Sequence, residues 1–305
     1  MGKRKIILLC AAVFLLAVYI FQVLSGRKTA VREIKIDGEI TSIVIESEKF
    51  GEITLSKDGE QWNVGKYKAN YKAGSIEDAI KTIKILDTVS SSVSDSVASM
   101  YGLDSENLIS VKAYSGESVL RALEIGKTSV TGSQTYVRID GAKAVSLASG
   151  ALSSTFGVEA ESMRDNEIYS IASANIKRVS AKKADGTLLV AERSVSTDEN
   201  ASAVWTLKNE NGDELDADSS KVSSWVSSVA SLSADKWCDE SDKSALDAAV
   251  TLEITTADKT VSVVVGEKGD DGKCTAESSE SPYRFTLSPY ASGNFFKTAA
   301  DFLKQ

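Results

Sequence analysis

The 305-residue sequence is acidic, with 35 Lys and Arg against 43 Asp and Glu and a formal net charge of −8. This charge argues against a nucleic-acid-binding surface, because such surfaces need clustered Lys and Arg that displace phosphate counterions. The chain contains no histidine, which excludes Ser-His-Asp and Cys-His nucleophile systems and HExxH zinc sites. Its 42% hydrophobic and 26% charged residues are typical of a folded globular protein, and its length favours two domains.

An apolar run near the amino terminus gives the strongest signal. It extends over 19 residues from Ile6 to Leu24, directly after three basic residues, and Gln22 is its one polar member. A helix of this length rises about 28 Å, which matches the hydrocarbon core of a bilayer. We therefore predict a cytoplasmic stub and a single transmembrane anchor over residues 1–28, with the remaining chain on the extracytoplasmic side of the cell membrane. The lipid bilayer is the first predicted partner.

The residues around the run disfavour two alternatives to this anchor. A cleaved signal peptide needs small side chains before the cut, but Val23 and Leu24 precede Ser25. A lipoprotein signal at Cys10 is disfavoured because the bulky Leu9 stands directly before the cysteine. An uncleaved anchor is therefore favoured, and the mature mass of the protein would distinguish it from a secreted form.

Hairpins open each half of the predicted body. Strands at 40–45 and 51–55 form the first hairpin, and strands at 176–181 and 187–191 form the second around Ala184-Asp185-Gly186. Neighbouring hairpins are typical of antiparallel sheets.

Two amphipathic helices with the same apolar spacing follow these hairpins. Apolar residues recur at i, i+3, i+4, i+7 and i+10, so they lie on one stripe of each helix, which must be buried against a sheet. Ser75 and Asp78 predict a capping pair at the start of the first helix. The stripe residues are Ile76, Ala79, Ile80, Ile83 and Leu86 in the first helix and Val222, Trp225, Val226, Val229 and Leu232 in the second.

Three further landmarks accompany the helices in the same order in both halves. A strand containing tryptophan precedes each helix, a strand that ends at glycine follows it, and a strand containing tyrosine comes next. This repeated order predicts an internal duplication. The paired landmarks are Trp62 with Trp205, Gly126 with Gly266, and Tyr136 with Tyr283.

These elements predict an α+β fold. A transmembrane helix is followed by two tandem repeated units, each a mainly antiparallel sheet with an amphipathic helix packed on one face. We place the first unit at 29–162 and the second at 163–305, with a polar connector at about 163–174.

No constellation in the sequence predicts catalysis, a cofactor or a metal ion. Gly126-Lys127-Thr128 is similar to the end of a phosphate-binding loop, but Arg121 stands where that loop needs glycine, so a strand end is predicted. The chain is therefore expected not to be an enzyme. Cys238 and Cys274 could form a disulfide in an extracytoplasmic body or remain two thiols.

Short turn-forming motifs give the chain a family resemblance. Met100-Tyr101-Gly102-Leu103-Asp104 lies between a predicted helix and a strand at 109–114. With an amino-terminal membrane helix, a Trp strand, an Ile-Gly strand end and a Tyr-Val-Arg strand, the order of motifs resembles the bacterial domain of unknown function 4340 family. In the second half, Ala245-Leu246-Asp247 replaces Gly102-Leu103-Asp104.

The resemblance implies a function beside a transporter. Family members look like companions of ABC transport systems of the gliding-motility auxiliary type, which implies an accessory, non-enzymatic interaction module and an integral membrane partner such as a permease. The alternative is a tethered receptor or enzyme with a ligand site between the two units, to which Arg138 contributes. The motif positions are expected to be structural; they are Trp62, Tyr101, Gly102, Leu103, Gly126, Tyr136, Arg138, Trp205, Gly266 and Tyr283.

Overall fold

The computed structural model describes residues 14–18, 31–194, 204–238 and 246–304. The chain divides into two compact units, Met1–Asp165 (unit 1) and Asn166–Gln305 (unit 2). Both are built mainly from antiparallel strands with a few helices, so the α+β class predicted from the sequence is confirmed. The division between the units falls inside the predicted connector.

Most of the predicted membrane anchor lies outside the described residues. Of the run from Ile6 to Leu24, residues 14–18 are described; they are helical, and Phe14 and Leu15 are exposed. Within the described ranges, no helix is both long enough and apolar enough to cross a bilayer. The anchor therefore stays a prediction.

Unit 1 forms one antiparallel sheet in the order β1-β6-β10-β9-β8-β7-β2-β3-β4-β5. The first predicted hairpin is confirmed by the pairing of β2 with β3, in which Ile43 lies opposite Leu55. The strands are β1 (Arg32–Lys35), β2 (Ser42–Ser47), β3 (Gly51–Asp58), β4 (Gln61–Val64), β5 (Tyr67–Lys68), β6 (Thr82–Ser90), β7 (Ile109–Ser115), β8 (Ser118–Thr128), β9 (Gln134–Ile139) and β10 (Val145–Ser149). The helices are α1 (Lys72–Lys81), α2 (Asp95–Ala98), α3 (Leu152–Phe156) and α4 (Ala160–Met163), with a 3-10 turn at Ser99–Tyr101.

Helix α1 is shorter at its carboxyl end than its apolar stripe predicted. Ile76 and Ile80 are buried, but Ile83 and Leu86 belong to β6. The run from Thr82 is rich in β-branched residues, which favours a strand, and Ile83, three residues after Ile80, is a buried position of that strand. The predicted capping pair is also wrong, because the helix begins at Lys72, before Ser75, and its N-cap position has no side-chain hydrogen bond.

Unit 2 contains a nine-stranded antiparallel sheet in the order β15-β14-β13-β12-β18-β19-β20-β21-β17, and a separate pair, β11 with β16. The second predicted hairpin is confirmed by the pairing of β12 with β13. The strands are β11 (Glu167–Ser170), β12 (Arg178–Lys183), β13 (Leu188–Ser194), β14 (Val204–Lys208), β15 (Glu214–Leu215), β16 (Ser231–Ser233), β17 (Lys236–Trp237), β18 (Val250–Thr255), β19 (Thr260–Val265), β20 (Cys274–Ser278) and β21 (Ser281–Leu287). The helices are α5 (Ser219–Val229) and α6 (Pro289–Phe295), with 3-10 turns at Ser173–Asn175 and Ala299–Asp301.

Helix α5 buries the stripe that the sequence predicted, except at its last position. Val222, Trp225, Val226 and Val229 are buried in the core of unit 2, and Asp218 caps the helix by accepting a hydrogen bond from the Ser220 amide. Leu232 lies beyond the helix in β16. Each fully buried aliphatic side chain stabilises the unit by about 1.5–3 kcal/mol relative to an exposed one.

The strand order of unit 2 follows that of unit 1. Reading unit 1 from β5, the order β5-β4-β3-β2-β7-β8-β9-β10-β6 matches β15-β14-β13-β12-β18-β19-β20-β21-β17. Trp62 and Trp205 lie on equivalent strands, β4 and β14. Tyr136 and Tyr283 do not, because the equivalent of β9 is β20 and Tyr283 lies on β21. The tyrosine landmarks therefore lie on strands that differ by one position in the two strand orders. A single tyrosine does not distinguish two adjacent strands of a meander.

A buried tyrosine ties β11 to the end of α5. The Tyr169 hydroxyl donates a hydrogen bond of 3.0 Å to the carbonyl of Val229, the last residue of the helix. Burial raises the pKa of Tyr169 well above its ordinary value, because the phenolate would lose its hydration. The phenol therefore satisfies a carbonyl that the helix itself leaves without a partner.

Replacing this phenol is expected to change how unit 2 responds to alkali. Above about pH 10 the unfolded phenol loses its proton while the folded one keeps it, so Tyr169 lowers the unfolding free energy by about 1.4 kcal/mol per pH unit. Tyr169→Phe should cost about 1–2 kcal/mol at neutral pH and should flatten the decline above pH 10. Denaturant titrations of the full-length protein, followed by the fluorescence of Trp205, Trp225 and Trp237, measure both effects; equal alkaline slopes would contradict the assignment.

Candidate functional site

The two glycine motifs of unit 1 form one backbone junction. The turn Tyr101 to Leu103 follows a 3-10 helix and passes Gly102 at a φ of 67°. A Cβ on Gly126 would lie 2.2 Å from the Tyr101 carbonyl oxygen, and one on Gly102 would lie 2.7 Å from the Lys127 nitrogen. Because both contacts are to backbone atoms, neither position has room for a side chain. The Tyr-Gly-Leu turn and the Ile-Gly strand end are thus one structural element.

Aromatic and cationic side chains support this junction. The rings of Tyr101 and Tyr136 meet edge to face, with centroids 5.1 Å apart. Arg138 donates to the Val93 carbonyl at 3.4 Å and to the Glu124 carboxylate at 3.5 Å. Six family-motif positions therefore lie in one region of unit 1; they are Tyr101, Gly102, Leu103, Gly126, Tyr136 and Arg138.

Trp62 holds α1 against the sheet edge. Its indole nitrogen donates to Glu77 of α1 at 2.7 Å, and Lys57 of β3 pairs with the same carboxylate at 3.2 Å. The Lys57 ammonium also lies 5.4 Å from the indole centroid. The tryptophan landmark in unit 1 is thus a helix-docking residue.

In unit 2, Gly266 also lies close to a turn, but the turn has a different sequence. A Cβ on Gly266 would lie 2.9 Å from Leu246 Cδ1 and 3.6 Å from the Asp247 carbonyl oxygen. Leu246, which the sequence aligned with Leu103, therefore lies beside Gly266, as Leu103 lies beside Gly126. Trp205 is buried, and its amide donates to Ser219 at the start of α5.

Tyr283 and the two cysteines lie elsewhere in unit 2. The Tyr283 ring contacts that of Trp237 edge to face at 6.1 Å. Cys274 is opposite Leu287 of β21, while Cys238 donates its amide to Arg284 across the other edge of the same strand. Two strand spacings alone place the cysteines about 9–10 Å apart, and the offset between Arg284 and Leu287 along β21 adds to this distance. The cysteines are therefore beyond the Cα separation of about 4.4–6.8 Å that a disulfide allows. The disulfide considered from the sequence is not formed.

A cavity of about 510 Å³ adjoins the junction in unit 1. The β2–β3 turn, the end of β8, the segment before β7 and helix α3 each contribute part of its wall. Its lining combines polar side chains with apolar surface; it comprises Ser47, Lys49, Phe50, Ser99, Gly102, Glu106, Asn107, Ile109, Gly126, Lys127, Ser153, Ser154 and Gly157.

The sequence did not predict this cavity, although two of its lining residues, Gly126 and Lys127, belong to a motif considered above. Gly126-Lys127-Thr128 does end a strand rather than a phosphate loop, as predicted, since all three belong to β8. The strand nevertheless delivers Lys127 to the cavity wall, and the Thr128 hydroxyl meets that of Ser153 at 2.6 Å. Lys49 and Phe50 did not indicate a binding site in the sequence, because these residue types are common in surface turns.

Comparison with known proteins identifies the family. A family model described as "Domain of unknown function (DUF4340)" matches residues 62–250. The chain belongs to the DUF4340 family. The DUF4340 match begins at Trp62 of β4 and ends at Val250, the first residue of β18. It therefore includes the whole junction of unit 1 and the part of unit 2 that precedes β18.

The DUF4340 assignment confirms the resemblance drawn from short motifs, within those bounds. Trp205 lies inside the matched region, whereas Gly266 and Tyr283 lie beyond it. No curated protein and no solved structure matches the chain.

Proposed function

We propose that this DUF4340 protein is a membrane-anchored, non-enzymatic interaction module whose two sheet units work outside the cytoplasm. The observation that carries the proposal is the uncharged run from Ile6 to Leu24, which follows three basic residues and precedes an acidic body. The absence of histidine from the sequence supports a non-enzymatic role, since the commonest general base is missing.

We further propose that the body arose by internal duplication. The strand-for-strand agreement between the two sheets supports this, because nine strands in one non-sequential order seldom recur by chance. The contacts of Gly126 with Leu103 and of Gly266 with Leu246 add support at the level of single residues.

The partner we propose is an integral membrane protein of an ABC-type transport or envelope complex. The family resemblance suggests this partner, and the position of β1 supports a place for it. Seven residues separate Leu24 from Arg32, the first residue of β1, and they span at most about 25 Å. Strand β1 is at an edge of the unit 1 sheet, so a partner in the bilayer could reach that edge.

A photo-crosslinking experiment tests this proposal. A photoreactive residue at Glu33 on β1 of the full-length protein, irradiated in cells, should capture an integral membrane protein, while one at Thr260 on β19 of unit 2 serves as the matched exposed control. Mass spectrometry should find the captured chain with residues 1–28 intact. A chain cut near Ser25 and recovered without a membrane partner would refute the anchored module.

The alternative role, a tethered receptor, is supported by one observation. The cavity of unit 1 has the size of a small-molecule site, which typically measures about 300–1,000 Å³. Arg138, which the sequence assigned to a ligand site, instead contacts Val93 and Glu124 within unit 1.

A further inference from the structure

The cavity of unit 1 is cationic within an acidic protein. Lys49 and Lys127 line it against one carboxylate, Glu106, which leaves one net positive charge where the chain as a whole carries −8. Within the described ranges, neither lysine has a carboxylate in ion-pair distance, although nearly every strand of the sheet carries charged residues. Two lysines without a carboxylate partner beside one cavity favour an anion.

Neutral hydrogen-bonding groups surround these two lysines. The hydroxyls of Ser99 and Ser154 line the cavity and bond to no other residue of the described chain, so each can donate to and accept from a ligand. The Asn107 amide donates to Asp104 at 2.8 Å and still has a carbonyl oxygen to offer. The lining therefore suits a ligand that carries several hydroxyl groups.

An aromatic ring completes the wall. Phe50 is half-buried, and the Lys49 ammonium lies 5.1 Å from its centroid. A Cβ on Gly157 would lie 2.9 Å from Phe50 Cε2, so the glycine leaves the ring room against the wall. A partly exposed phenyl ring beside polar donors suits the C–H face of a sugar ring.

From this arrangement we infer that the unit 1 cavity binds a monoanionic, hydroxyl-rich small molecule of the sugar-acid class. The carboxylate pairs with Lys49 and Lys127, the hydroxyls face Ser99 and Ser154, and the ring lies against Phe50. One net positive charge in the lining matches one carboxylate better than a phosphate dianion. This site goes beyond the docking role proposed above, because it uses neither β1 nor the anchor.

Unit 2 lacks the feature that makes the site cationic. Glu267 follows Gly266, whereas Lys127 follows Gly126 at the equivalent strand end. The residue that follows the glycine in unit 2 therefore carries the opposite charge. Binding is expected in unit 1 alone, with one ligand per chain.

Calorimetric titration of the full-length protein with glucuronate tests the inference. Because the lysines are exposed, we expect a dissociation constant on the order of 1 mM in about 0.1 M salt, and weaker binding in about 1 M salt, where the Debye length falls to about 3 Å. Lys127→Gln and Lys49→Gln should each weaken binding about tenfold, as expected for loss of one charge-assisted hydrogen bond. Lys182→Gln, an equal charge change at an exposed side chain of β12 in unit 2, should leave the affinity unchanged.

Titrations with related ligands distinguish a free sugar acid from a glycan end and include the results that would refute the inference. Free hexuronates and glycan ends share this chemistry, so tighter binding of methyl glucuronide than of glucuronate would assign the ligand to a glycan terminus, and the reverse to a free sugar acid. Equal binding of neutral glucose, or of acetate and inorganic phosphate, would overturn the sugar-acid class. Absence of heat at about 10 mM glucuronate, or unchanged affinity in both lysine variants, would overturn the site.

Discussion

Gly126→Ala is expected to lower the unfolding free energy of unit 1 by about 3–5 kcal/mol. The added Cβ would lie 2.2 Å from the Tyr101 carbonyl oxygen, with Leu103 Cγ at 3.1 Å and the Gly102 carbonyl carbon at 3.2 Å. Two of these three atoms belong to the backbone, so the turn must move as a whole. Such a movement would also separate the Tyr101 and Tyr136 rings and open the small core around Leu103.

The same unit offers a glycine with the opposite expectation. Gly74 lies inside α1, and a Cβ there meets nothing within 4 Å. Gly74→Ala should therefore stabilise unit 1 by about 0.5–1 kcal/mol, because alanine loses less backbone entropy in a helix. Hydrogen exchange of unit 1 peptides across a denaturant series measures both variants. If Gly126→Ala were as well tolerated as Gly74→Ala, the junction would not be the rigid element described above.

Arg121→Met should cost unit 1 about 2–4 kcal/mol. The Arg121 side chain is 3% exposed, and it donates to the Lys35 carbonyl at 3.2 Å and to the Ile80 carbonyl at 3.3 Å. Ile80 lies in the last turn of α1 and Lys35 ends β1, so one guanidinium joins the helix end to the edge strand. Burial lowers the pKa of Arg121, and the nearby Asp140 carboxylate opposes that shift.

Methionine keeps most of the volume of Arg121 but removes every donor. The Ile80 carbonyl, in a buried hydrogen bond, and the Lys35 carbonyl, in a part-buried one, would then lose this donor at about 1–3 kcal/mol each. Relief from burying the guanidinium would offset part of that cost. Asp140→Asn is the matched control, because its 54% exposed side chain can keep the bond to the Ala122 amide while losing its charge. A neutral or stabilising Arg121→Met would mean that desolvation of the guanidinium outweighs its hydrogen bonds. Hydrogen exchange in the last turn of α1 separates the two results.

The two helices illustrate where sequence patterns succeed and fail. The stripe of α5 agrees with the structure through Val229, because four apolar residues at helical spacing face one core. The stripe of α1 agrees only as far as Ile80, since from Thr82 onwards Ile83 and Ile85 satisfy the alternation of a strand. Period 3.6 and period 2 coincide over a single turn, so local spacing alone cannot place such a boundary.

The candidate site was harder to find than the fold. Gly126 and Gly102 stood out as turn residues, but their contact joins positions 24 residues apart through atoms that every residue has. Lys49, Lys127 and Ser154 come from three separate segments, and none of these segments is unusual by itself. Only chain folding brings their side chains to one cavity.

The sequence by itself determined the properties that depend on composition and local pattern: the acidic charge, the missing histidine, the α+β class, the two hairpins and the family. These depend on residue types and on the spacing of residues close together in the sequence, which determine hydrophobic periodicity and turns. Tertiary structure decided the strand order, the Gly126–Tyr101 junction, the Arg121 bridge, the separation of the cysteines and the cationic cavity. Each of these depends on backbone groups or side chains that are distant in sequence, and their distances are set by the order of the strands in the sheet of each unit rather than by any pattern along the chain.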